Sequence, residues 1–131
     1  MGKNDIISVL QALGIPNDKY IVTMGAVLSV HGIRRAGDID IIFDPSIEKH
    51  LMKKGFTFAP LSQHSKYKKR YISGHIEAFP NFYHIGTLKQ CLQKYPCEML
   101  EGIPFMSLQD TMRIKSSFGR EKDIIDMVMV G

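Results

Sequence analysis

Apolar residues recur along this chain in two rhythms. Over residues 4–13, Ile6, Ile7, Leu10 and Leu13 fall at helical spacing, Asn4 or Asp5 can cap, and Gly14-Ile15-Pro16 ends the helix. Tyr20-Ile21-Val22-Thr23-Met24 is a β-branched run and predicts a strand broken by Gly25. Ala26 to His31 then form a short apolar helix closed by Gly32, and Ile39-Asp40-Ile41-Ile42-Phe43 a second strand ended by Asp44-Pro45-Ser46. A helix follows from Ser46 to Lys54, with a short strand at Phe56-Thr57-Phe58.

The second half reads as hairpins and helices. Lys66–Ile72 and His75–Phe79 flank a turn at Ser73-Gly74, and Glu98–Leu100 and Ile103–Met106 flank another at Glu101-Gly102. Between them Thr87–Tyr95 is helical. Ser107, with Asp110 three residues on, opens a helix to about Phe118. Gly119 interrupts it, and Arg120 to Val130 forms a last helix whose Met127 and Met129 are expected to fill the core along with most of the eight methionines. Helices alternating with strands predict an α/β (α+β) fold: a mixed β-sheet with helices packed on one face.

Composition narrows the class. The 131 residues, 44% hydrophobic and 23% charged, predict one globular domain over 1–131 and not a disordered chain. No secretory signal and no apolar run of roughly 18 residues is found, so the expectation is a cytoplasmic protein without membrane contact. The net charge of +4 allows an anionic partner and decides nothing alone. Cys91 and Cys97, even with His84, match no zinc spacing and are expected to be buried thiols.

The segment that carries chemistry is Tyr20 to Asp44. On a strand, residues i and i+2 share a face, so Asp38 and Asp40 set two carboxylates side by side. Two such anions repel unless a cation bridges them, and oxygen-only donors favour Mg²⁺ or Mn²⁺, completed by substrate phosphates. Gly25, between a strand and a helix start, offers backbone N–H groups and a close approach to a phosphate. Glu77, between apolar neighbours in His75-Ile76-Glu77-Ala78-Phe79, completes a triad if its strand adjoins that of Asp40. It would then act as general base on a hydroxyl or help hold a second metal.

Gly25-Ala26, twelve residues to Asp38, then Asp38-Ile39-Asp40 and a later Glu77 resembles the polymerase-β-type nucleotidyltransferase superfamily. Gly102-Ile103-Pro104-Phe105-Met106-Ser107-Leu108, Lys115 and Gly119-Arg120-Glu121-Lys122-Asp123 are similar to the C-terminal part of small toxin-type members found in abortive-infection systems. The resemblance covers about residues 20 to 127. It implies transfer of an NMP group from an NTP to a hydroxyl of RNA, protein or a small molecule. Asp38, Asp40 and Glu77 would be catalytic and hold Mg²⁺ or Mn²⁺, and Gly25 and Ala26 would face the triphosphate. A cognate toxin or antitoxin is a further implied partner. The chain departs from the pattern at Ala26, where Gly or Ser is usual, and at Glu77, where Asp is commoner. The second reading is therefore a catalytically degenerate nucleotide-binding or antitoxin-type module of the same fold.

Other residues have two readings each. Arg34 and Arg35 either grip a phosphate or neutralise Asp38. Lys115 either reaches the nucleotide, as the resemblance implies, or is a solvated helix lysine. The cluster His64-Ser65-Lys66-Tyr67-Lys68-Lys69-Arg70-Tyr71 either holds a nucleic acid, its tyrosines stacking on bases, or is a charged edge strand that blocks aggregation.

Overall fold

A computed structural model of the chain describes residues 1–59, 69–82 and 85–130. The first half follows the hydrophobic rhythm closely. Helix α1 (Lys3–Leu13) buries Ile6, Ile7, Leu10 and Leu13 on one face and ends at Gly14 in the left-handed region. Its cap is Gly2 and not Asn4 or Asp5; the Asp5 carboxylate accepts a hydrogen bond from the Gly2 N–H at 3.0 Å. Strand β1 (Tyr20–Thr23), helix α2 (Gly25–Val30) and strand β2 (Ile39–Phe43) come next. A 3₁₀ turn (Pro45–Ile47), helix α3 (Glu48–Lys53) and strand β3 (Thr57–Phe58) complete this half.

In the second half β4 (Tyr71–Ser73) and β5 (Ile76–Phe79) form the first expected hairpin. A small two-stranded sheet of β6 (Asn81–Phe82) and β7 (Gly86–Thr87), with no counterpart in the sequence reading, precedes α4 (Leu88–Lys94). The second expected hairpin is β8 (Cys97–Leu100) and β9 (Ile103–Met106). Its two turn residues, Glu101 and Gly102, have φ of 51° and 79°, the twist that a two-residue hairpin turn requires. Helices α5 (Leu108–Phe118) and α6 (Glu121–Val130) close the described chain.

The fold is mixed α/β. Seven strands form one sheet in the order β3-β4-β5-β2-β1-β9-β8, with β1–β9 and β2–β5 parallel and the remaining pairs antiparallel. All four residues of β1 and of β9 are buried, so the centre of the sheet is covered on both faces. Ile6, Leu10, Ile21, Val22, Ile39, Ile41, Ile42, Phe43, Leu51, Phe56 and Met106 form the heart of one core. Two expectations about sulfur fail. Met24 and Met106 are buried, but Met52, Met99, Met127 and Met129 are exposed. Cys91 is buried, its thiol pushed up to about 11 by burial, whereas Cys97 is exposed on the edge strand β8.

Candidate functional site

Strand register builds the site. Thr23 of β1 faces Asp40 of β2, Asp40 faces Glu77 of β5, and Glu77 faces Ile72 of β4. Directly opposed residues share a face of the sheet, so Asp40 and Glu77 stand next to each other on neighbouring parallel strands. They lie 37 positions apart in sequence (77 − 40) and meet because β2 and β5 pair in this register. Asp38 lies two residues before Asp40, exposed, just ahead of the strand.

The electrostatics follow from this crowding. Burial raises the pKa of the Asp40 carboxyl to about 7, and the charges of Glu77 and Asp38 push the same way. Lys122 and Lys115 act against them, which puts the α5–α6 end of the molecule in electrostatic reach of the carboxylates. Glu77 does not point wholly at Asp40. Its carboxylate takes an ion pair from the Arg70 guanidinium at 3.3 Å, and Arg70 also donates to the Ala59 carbonyl at 3.3 Å. Asp38, Asp40 and Glu77 are hard oxygen donors of the kind that suit Mg²⁺ or Mn²⁺, and Mg²⁺ is usually held by one or two carboxylates with water and phosphate completing the shell. Asp38 and Asp40 are donors of that kind, but Asp38 stands ahead of β2 and not on it, so the strand itself does not set the two on one face as expected. Among the described residues no three His, Cys, Asp or Glu side chains converge closely enough to hold a metal by themselves.

The turn from β1 into α2 has strained geometry. Met24 holds φ 63° and ψ −133°, a region that side-chain-bearing residues rarely adopt. Gly25 follows, and a Cβ there would lie 3.3 Å from Nη2 of Arg34. The missing side chain of Gly25 thus seats the Arg34 guanidinium. Ala26 is fully buried in the core.

Arg34 does not neutralise Asp38, contrary to one of its two readings. It grips Asp126 of α6 with both edges of the fork, Nε to Oδ1 at 2.6 Å and Nη2 to Oδ2 at 2.9 Å. Arg35 is exposed, 3.7 Å from Asp5. Lys115 is not a solvated helix lysine either. It is 2% exposed, with Nζ 3.2 Å from Asp123 and 3.0 Å from Asp126. Arg120 completes the group, Nε lying 2.5 Å from Asp123. The Arg34 fork, reinforced by Lys115, holds the Asp126 carboxyl below its ordinary value. Burial opposes this at Asp123, but hydrogen bonds from Arg120 and Lys115 prevail and its pKa is lowered too. Three cations, Arg34, Lys115 and Arg120, meet two carboxylates, and of the three only Lys115 lowers the pKa of Asp40 by its charge.

No family model, no curated protein and no solved structure matches the chain.

Asp126 is the residue that sequence reading missed. The available signal was its spacing: Asp123 and Asp126 are three apart and are the two acidic residues interrupting the apolar run that follows Glu121 and Lys122. Of the basic cluster, residues 64–68 and also His84 lie outside the described residues. Lys69 is exposed, and Arg70 pairs with Glu77. Tyr71 is no stacking platform, since it is 5% exposed, packs edge-on against Phe43 and Phe58, and donates its hydroxyl to Glu48.

Proposed function

We propose that this chain is a metal-dependent nucleotidyltransferase that moves an NMP group from an NTP to a hydroxyl of RNA, protein or a small molecule. The observation that carries the reading is the Asp40–Glu77 register, with Asp38 two residues before Asp40. Burial and the charges of Glu77 and Asp38 raise Asp40 to about 7, a cost that a cation bound beside it would remove. Asp38 and Asp40 would hold Mg²⁺ or Mn²⁺. When bound, the metal would polarise phosphate and offset charge on the attacking and leaving oxygens. Glu77, once released from Arg70, would take the proton of the attacking hydroxyl. The new bond joins that hydroxyl oxygen to the α-phosphorus, and pyrophosphate leaves. Lys115 and Lys122, whose charges reach Asp40, would help to offset the charge of the triphosphate. A cognate toxin or antitoxin partner and a cytoplasmic setting belong to the same reading.

One observation favours the second reading, a nucleotide-binding or antitoxin-type module without turnover. Both cations expected at the nucleotide, Arg34 and Lys115, are already paired with Asp126 and Asp123. Two measurements separate the readings. Binding to the native state raises its apparent stability, so thermal unfolding is followed with each NTP, with and without Mg²⁺. Labelled NTP, Mg²⁺ and cell lysate then report any macromolecule that gains label. A Mg²⁺-dependent shift with transfer supports the enzyme, and a shift without transfer supports the module. No shift with any NTP removes both.

A further inference from the structure

Helix α6 is built inside out. Its buried side chains are Asp123 and Asp126, 0% and 2% exposed, held by Lys115, Arg34 and Arg120. Its outward side chains are Ile124, Ile125, Met127, Val128 and Met129, exposed by 54, 52, 40, 76 and 48%. A surface helix ordinarily does the reverse. At 100° per residue these five cover roughly 200° of the helix, an unbroken apolar arc, and Ile124–Val128 and Ile125–Met129 form two i, i+4 ridges along it. The five are exposed by between 40 and 76% of their surface, together roughly 500 Å² of apolar area, at the upper end of what a monomer's largest patch shows.

We propose that this face of α6 is a homodimer interface, a second copy of the chain laying its own α6 antiparallel across the first about a two-fold axis. The inference does not depend on the proposed activity. Area supports this occupant: two such faces remove at most about 1,000 Å² in total, which reaches the lower bound for a specific interface. Chemistry supports it as well. Between Lys122 and Val130 the arc carries no charged or hydrogen-bonding side chain that would select a foreign partner of complementary charge. A two-fold axis needs only a self-complementary patch, and the two parallel ridges on each copy supply one, ridges entering grooves. Antiparallel pairing also sets each helix N-terminus beside the partner's C-terminus, which is favourable for the helix dipoles.

The test is the mass of the full chain in solution by sedimentation, between about 1 and 200 μM, the range in which an interface of this size associates. The expected result is a shift from 14.9 kDa to twice that mass. Val128→Glu, at the most exposed position, should keep the wild-type circular dichroism and weaken association by about 100-fold or more. Ile125→Lys repeats the test with another residue should the first variant lose its fold. Met99→Glu, 53% exposed on the edge strand β8, should leave the dimer intact. A wild-type monomer throughout the range overturns the proposal. So does an open-ended series of larger species, or a dimer that the Met99 variant breaks and the folded α6 variants do not.

Discussion

Replacing Asp40 by Asn removes one charge and almost no volume, so its effect on stability reads the electrostatics of the carboxylate group directly. The Asp40 carboxyl titrates near 3.8 when unfolded and at about 7 in the fold, because burial and then Glu77 and Asp38 disfavour its charge against the weaker pull of Lys122 and Lys115. A folded pKa above the unfolded one means that the native state holds the proton longer. The wild-type chain is therefore stabilised, as far as this group is concerned, below about pH 4. That stability is lost progressively as pH rises to about 7 and stays lost above it. At 1.36 kcal/mol per pH unit the full swing is at most about 4 kcal/mol, and with water reaching the partly exposed carboxyl about 2 is expected. Asparagine has no such swing. Thermal unfolding of the two proteins from about pH 4 to about pH 8.5 should show similar midpoints at the acid end and a growing advantage for Asp40→Asn, about 8 °C above pH 7 at roughly 3–5 °C per kcal/mol. Mg²⁺ at pH 8 should recover part of the deficit in the wild type alone. Transfer by the variant should fall by a factor of about a hundred or more, the scale of losing a preorganised charge-stabilising group. A stability gap that does not change with pH, or a variant less stable than wild type at pH 8, would refute the reasoning.

Lys115→Ala should lower stability by about 3 kcal/mol in chemical denaturation, because it leaves a cavity and two buried carboxylates short of a partner. A lysine that only met nucleotide would leave unfolding unchanged. Met24→Gly should be about 1 kcal/mol more stable than Met24→Ala, the reverse of the usual order, since both variants lose the side chain and only glycine relieves the φ of 63°. Equal stabilities would show that the turn relaxes without cost. Arg70→Gln should bind Mn²⁺ more tightly by electron paramagnetic resonance, because the guanidinium competes for the Glu77 carboxylate. Unchanged affinity would take Glu77 out of the metal shell.

The strands at the site were legible because β-branched runs and turn glycines bound them closely: β2 lies over Ile39–Phe43, as its sequence predicts. The Glu101-Gly102 turn was legible for the same reason, whereas the first hairpin turns at Gly74-His75, one residue later than the expected Ser73-Gly74, because Ser73 still pairs with Ile76. What joins β2 to β5 was not, since nothing in either run specifies a parallel register over 37 residues, and only the shared core selects it. The sequence could thus nominate Asp40 and Glu77 without placing them opposite each other. The last helix misled for a physical reason. An apolar helix ordinarily turns its hydrophobic residues inward, but here ion pairs to Lys115, Arg34 and Arg120 claim the inward face, and Met127 and Met129 go outside. Small elements such as β6 and β7 leave too short a pattern to read.

The Arg34–Asp126 pair has a consequence for how the chain emerges from the ribosome. Its partners are 92 residues apart, and Asp126 lies in the last helix of the described chain. At about 5–20 residues per second, Arg34 waits roughly 5 to 18 seconds for its counter-charge. During that interval β1 and β2 can pair locally, but the guanidinium that packs on Gly25 has no carboxylate to fix it. The Arg34 fork beside Gly25 is thus fixed only after α6 has been made, well after Asp38 and Asp40 have left the ribosome.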